Sequence, residues 1–134
     1  MEARLPADDV KRVAEFRAAL RAFMRKSERN ARASGLTPQR YLLLLMIKGA
    51  PDGREQSTVT ELADRLQLAQ STVTELVRRA EEVGLVARAQ SAVDARVAHL
   101  KVTEEGERRL ALAFTSNEQE RTELRAAIAH LDGA

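Results

Sequence analysis

Residues 58–84 read TVTELADRLQLAQSTVTELVRRAEEVG, and their apolar spacing describes two helices joined by a tight turn. In the first helix Leu62, Ala63 and Leu66 face inward, and Thr60 reads as the cap at its start. Leu68 to Gln70 form the turn. The second helix runs from about Gln70 to Val83, with Val73, Leu76, Val77 and Ala80 on one face, and Gly84 ends it. A short helix, a turn of three or four residues and a second amphipathic helix make up a helix-turn-helix.

The flanking sequence extends this unit. Downstream, LVARAQSAVDARVAHLKV holds two strand-forming runs, Val86–Gln90 and Arg96–Val102, around a polar segment. Ala98, Leu100 and Val102 alternate with Val97, His99 and Lys101, the period of a strand, so the pair is a hairpin. Thr103 then caps a helix that carries Glu104 and Glu105 in its first turn, and Ser116 to Gln119, SNEQ, reads as a capping box that restarts a helix. Upstream, Thr37 and Pro38 open a helix that is apolar nearly all round from Tyr41 to Ile47 and is therefore central, with Gly49 as its stop. APDGREQS after it is a turn-rich loop.

The chain starts with a long helix, from about Asp8 or Asp9 to about Ala33, with the two aspartates as N-cap and favourable charge and Gly35 as its end. Val13, Phe16, Leu20 and Phe23 draw one apolar stripe along it. Leu124, Ile128 and Leu131 draw another near the C-terminus. A helix of that length in so small a protein has more stripe than one short domain covers, which predicts a partner chain.

Composition bounds the chemistry. The 134 residues suit a single domain, and 44% hydrophobic with 31% charged residues can bury a core. With aromatics at 3%, that core is built from Leu, Val and Ala, which are helix formers apart from Val. There is no cysteine, hence no disulfide, thiolate metal site or thiol redox sensor in this chain. His99 and His130 are far apart and are read as a wing residue and a helix C-terminal charge, not as metal ligands. No phosphate loop, paired catalytic carboxylates or nucleophile with a histidine orienter is visible, so the chain is read as a non-enzyme with no cofactor and no metal. MEARLPADDV lacks the apolar run of a signal peptide, and Tyr41–Ile47 is too short to span a bilayer, so a cytoplasmic protein with no membrane partner is expected.

Charge is unevenly placed. Residues 1–56 hold 12 Lys/Arg against 7 Asp/Glu, a net +5, and residues 57–134 hold 10 against 13, a net −3. The excess lies in Lys11 to Arg32, a surface that is either a solvated helix face or one leaning towards anions.

GLTPQRYLLL, the helix-turn-helix run, DAR in the hairpin and VTEEGERRL after it occur in an order and spacing that resembles the MarR family of transcription regulators. The likeness covers roughly Gly35 to Leu110. It implies a mainly α fold with a small β-wing: a winged helix-turn-helix over 37–102, flanked by dimerisation helices over 8–34 and 103–134 within one domain, 1–134. It implies a homodimer whose recognition helices enter the major groove of double-stranded DNA while the wing tips reach the minor groove, usually as a repressor of a pseudo-palindromic operator, often with a small aromatic or anionic effector.

Carried onto this chain, the resemblance nominates Gln70, Ser71, Thr72 and Thr74 at the recognition-helix start as DNA contacts, since glutamine pairs with adenine and hydroxyls reach bases or phosphates. Of Arg78 and Arg79, one is expected to hold a phosphate and the other to pair with Glu75 or Glu82. Arg96 is the wing's candidate for a narrow minor groove, with Asp94 holding it in place, and Arg88 either supports a phosphate contact or is simply solvated. Tyr41 is either a core ring with a satisfied hydroxyl or a wall of the effector pocket, where Arg17 or Arg21 would meet an acidic ligand.

Three positions depart from the family pattern. Ala69 replaces a common Ser cap, Gln67 a common Gly that allows a left-handed backbone, and Glu75 a common Arg. A carboxylate at position 75 repels phosphate but accepts from cytosine N4. The near-even charge of residues 57–102, six basic and six acidic, keeps a second class open, a winged-helix protein-interaction adaptor.

Overall fold

The structure is a computed structural model that describes residues 4–90, 93–94 and 96–133. In chain order it holds α1 (Ala7–Ala33), α2 (Pro38–Lys48), α3 (Val59–Leu66), α4 (Gln70–Glu82), β1 (Val86–Gln90), β2 (Ala98–Val102), α5 (Glu104–Ser116) and α6 (Glu118–Leu131). This is the mainly α fold with a small β-wing that the sequence predicts.

The core lies where α2, α3, α4, α5 and the wing base meet. Leu43, Leu44 and Ile47 of α2 pack with Leu62, Val73, Val77, Leu85 and Leu100, all without solvent exposure. Leu42 alone of the leucine run in α2 is exposed, so α2 is not apolar-buried all round. Thr37 caps α2 by accepting from Arg40 N, with Pro38 in the first position, and Gly49 closes it.

β1 and β2 pair antiparallel in the register Val86↔Val102, Arg88↔Leu100 and Gln90↔Ala98. The second strand is shorter than expected, starting at Ala98 rather than Arg96, because Arg96 and Val97 belong to a turn closed by Val97 N to Asp94 O. β2 also gains a neighbour on its other edge. Ser57, 2% exposed, donates to and accepts from the Leu100 backbone at 3.1 and 2.8 Å, so the loop after α2 ends as a strand-like bridge.

Three caps differ from the sequence reading. Thr58, not Thr60, caps α3, in a capping box closed by Glu61, because only position 58 stands three residues before a glutamate. Pro6 precedes α1, and Asp8 and Asp9 sit inside its first turn without capping it. SNEQ forms no capping box: Ser116 Oγ bonds back to Leu112 O within α5, and Asn117, the joint before α6, turns inward.

α6 runs antiparallel along α1, tied by Glu15–His130, Lys26–Glu123 and Asn30–Asn117. Part of the α1 stripe is therefore covered by the same chain, with Phe16, Leu20 and Phe23 half-buried. Val13, 52% exposed, and Ile128, 45% exposed, stay outside it. Among the described residues no helix is long and apolar enough to cross a membrane, and no three His, Asp or Glu residues are grouped to hold a metal.

Candidate nucleic-acid interface

α4 sorts its residues by period. Val73, Val77 and Ala80 are buried against the core, which turns Gln70, Ser71, Thr72 and Thr74 to solvent at its N-terminal end. The turn before it depends on a left-handed residue. Gln67 stands at φ 56°, ψ 45° and Leu68 N bonds Ala63 O, so the strained conformation read from the missing glycine is present. Ala69 precedes α4 without a side-chain cap, leaving the first-turn N–H groups with no hydroxyl or carboxylate acceptor from that position.

The basic residues of α4 and β1 are tied to acids. Glu75 Oε2 accepts from Arg78 Nε at 2.9 Å, and Oε1 accepts from Arg78 Nη2 at 2.5 Å and from Arg79 Nε at 3.0 Å. Arg78 Nη1 also bonds Glu82. These bonds, to Arg78 first and Arg79 second, hold the Glu75 carboxyl at about 2, below its usual 4.5. Arg88 Nε bonds Glu81 at 2.9 Å. Arg88 shares a strand face with buried Val86, which brings its side chain over the end of α4.

In the wing, Asp94 Oδ1 accepts from Arg96 N at 3.0 Å and from Nε at 3.2 Å, and Oδ2 accepts from Nη2 at 3.3 Å. The Arg96 side chain is nonetheless 90% exposed. The arrangement fixes the guanidinium at one edge and leaves the rest in solvent, and it lowers the Asp94 pKa.

Tyr41 lies in α2, in a cleft that shares Pro38 and Glu28 with one lined by Arg79. Its ring is buried, its hydroxyl accepts from Asn117 Nδ2 at 3.3 Å, and its edge lines this cleft, of about 80 Å³, with Phe23, Met24, Ser27, Pro38 and Leu42. Pockets for drug-sized ligands span about 300–1,000 Å³, so this cleft in one chain is too small for one. Arg21 lines the neighbouring cleft with Arg25, Arg29 and Arg32, and Arg17 lines neither. The two arginines and Tyr41 are thus not brought together.

Residues 34–97 match the family model described as MarR family. Three solved structures are similar along most of the chain. A MarR family transcription regulator has TM-score 0.72 at 19% identity, over 84% of this chain and 72% of that one. YusO of Bacillus subtilis has TM-score 0.67 at 21% identity, over 98% and 99%. The M. tuberculosis transcriptional regulator MOSR, solved in complex with DNA, has TM-score 0.62 at 29% identity, over 82% and 77%. Residues 34–97 are thus similar to the MarR-family winged helix-turn-helix, and the fold of the chain is that of the regulators it resembles. No curated protein sequence matches it.

Sequence reasoning missed Asn117. The residue is 1% exposed, donates to Ser27 Oγ and Tyr41 Oη at 3.3 Å each, and accepts from Asn30 Nδ2 at 2.7 Å. It joins α1, α2 and the α5–α6 joint beside the Tyr41 cleft. Only the polar context SNEQ marked it, and that pattern pointed to a cap.

Proposed function

We propose that this chain is a DNA-binding transcription regulator that acts as a homodimer on a pseudo-palindromic operator, as a repressor released by a small-molecule effector. The observation that carries the reading is the polar start of α4, Gln70, Ser71, Thr72 and Thr74, exposed by a helix whose opposite face is locked in the core. Side chains at that end of a recognition helix are the ones that reach base edges. Arg96, fixed at one edge by Asp94, supplies the wing contact. The likeness to a regulator solved with DNA at 29% identity supports the same partner here. A two-fold dimer presents two recognition helices, so half-sites stand about one helical turn apart. At the Tyr41 cleft, an effector site of useful size requires the second copy to complete it.

The acid–base pairs on α4 favour one rival, a winged-helix adaptor that binds protein. Electrophoretic shift on duplexes selected from a random pool, repeated across salt concentrations, separates the two. A regulator selects a motif with two-fold symmetry, and log affinity falls linearly with log salt by about 0.9 per phosphate neutralised. An adaptor selects nothing and shows no duplex shift.

A further inference from the structure

α4 is an acidic helix: three glutamates, Glu75, Glu81 and Glu82, accompany only Arg78 and Arg79. The two arginines are not held alike. Arg78 is engaged at all three nitrogens, Nε and Nη2 by Glu75 and Nη1 by Glu82. Arg79 gives only Nε to Glu75 and makes no other polar contact among the described residues, so both its Nη groups are available. Arg79 also lines two clefts: one with Arg32, Thr37 and Arg40, the other with Gln39, Ser71 and Thr72. Its guanidinium therefore stands between the polar start of α4 and the basic corner of α1 and α2.

On the DNA-binding reading above, we propose that Glu75 is a specificity-determining positioning residue: its carboxylate commits Arg78 to the helix and holds Arg79 by one edge, so that a single phosphate is gripped in register. Without that carboxylate, Arg79 would be free and Arg78 held only through Nη1 by Glu82, so two loosened cations would face the duplex and bind phosphates of any sequence. Base contacts fix the register of the operator complex, where a loosened cation gains little, whereas a random complex is held by phosphates alone and gains from every loosened cation, so restraint lowers random binding more than operator binding. Glu75 sits between Thr72 and Arg79 on the exposed side, where its own charge repels a phosphate out of register.

The test measures anisotropy binding for wild type, Glu75→Gln, Arg78→Gln, Arg79→Gln and the double variant Glu75→Gln/Arg79→Gln. Each is titrated with salt on the duplex that wild type selects from a random pool and on a scrambled duplex of equal composition. Urea unfolding checks that each variant is folded. Glu75→Gln is expected to bind the scrambled duplex about tenfold more tightly, with a salt slope steeper by about one, and to lose about tenfold in selected-to-scrambled ratio. Arg79→Gln makes the slope shallower by about one on both duplexes, and Arg78→Gln leaves it unchanged. The double variant loses the steepening. A change confined to preference at one base pair after Glu75→Gln, with the slope unchanged, would make Glu75 a base reader and overturn the proposal. Equal slope losses for Arg78→Gln and Arg79→Gln, or an unchanged scrambled affinity for Glu75→Gln, overturn it as well. A wild type that binds neither duplex defeats the DNA reading and this inference with it; in every other outcome the DNA reading survives.

Discussion

Asn117 shows how much one side chain can hold. Its amide makes three side-chain hydrogen bonds, to α1 twice and to Tyr41 of α2 once. Removing it leaves the buried Tyr41 hydroxyl and the half-buried Ser27 and Asn30 without the bonds for which they gave up water. Asn117→Ala is therefore expected to cost about 1–3 kcal/mol, read as a lower urea midpoint with an unchanged slope. Arg96 is the opposite case. It touches Asp94 and solvent, so Arg96→Ala is expected to leave the urea midpoint where it is. The same variant should weaken binding to the selected duplex; unchanged affinity would take the wing out of the interface. Gln67 tolerates a left-handed backbone that glycine would adopt without strain, and its Nε2 donates to Asp64 O at 2.6 Å, which offsets part of that cost.

Between elements, the start of α5 is the tightest joint. Thr103 Oγ1 donates to Gly84 O at 2.6 Å, Thr103 N bonds Leu85 O at 3.0 Å, and Gly106 N bonds Thr103 Oγ1. This draws Gly106 onto the β1 entry so closely that a Cβ there would lie 2.3 Å from Leu85 O and 2.7 Å from Val102 Cγ1. Backbone cannot swing aside as a side chain can. Gly106→Ala is expected to destabilise the fold by about 1–3 kcal/mol, visible as a lowered urea midpoint. The ion clusters on α4 and α5 are built alike. Glu105 holds Arg108 and Arg109 as Glu75 holds Arg78 and Arg79, and both carboxyls are drawn down to about 2 by those bonds. A folded pKa below the unfolded one means that their contribution is complete above pH 4.5 and is lost as pH falls towards 2. Carboxyl NMR titration should find these two glutamates ionising near 2. It follows that Glu75 carries full charge, and gives DNA binding no pH dependence, at any pH above 5.

Taken as one body, the chain covers part of its long helix with its own α6, yet leaves Val10, Val13, Leu112, Phe114 and Ile128 exposed. On the homodimer reading proposed above, a second copy would cover such surface at the cost of association. Sedimentation at low micromolar concentration is expected to show a dimer and no folded monomer. A stable monomer would remove the basis for two half-sites.

Elements, their order and most of their ends were legible in the residues, because caps, turns and amphipathic periods act within four or five positions. Thr37 before Pro38, the left-handed Gln67, uncapped Ala69 and Asp94 two residues before Arg96 all behave as their local sequence dictates. Local spacing also allowed what did not happen, as in SNEQ, where the capping pattern yielded to the burial of Asn117. Nothing near Asn117 names Ser27, Asn30 or Tyr41 as its partners, since they lie 76 to 90 residues away. Likewise Ser57 meets Leu100, and Gly106 meets Leu85, only once the chain has packed. The division between Arg78 and Arg79 was open for a different, local reason. Helical spacing permits either to pair with Glu75, and on the exposed face of α4 both do, with Arg78 taken further by Glu82. Short-range geometry is written residue by residue; which polar group is satisfied, and which is left for a ligand, depends on neighbours that only the folded chain brings together.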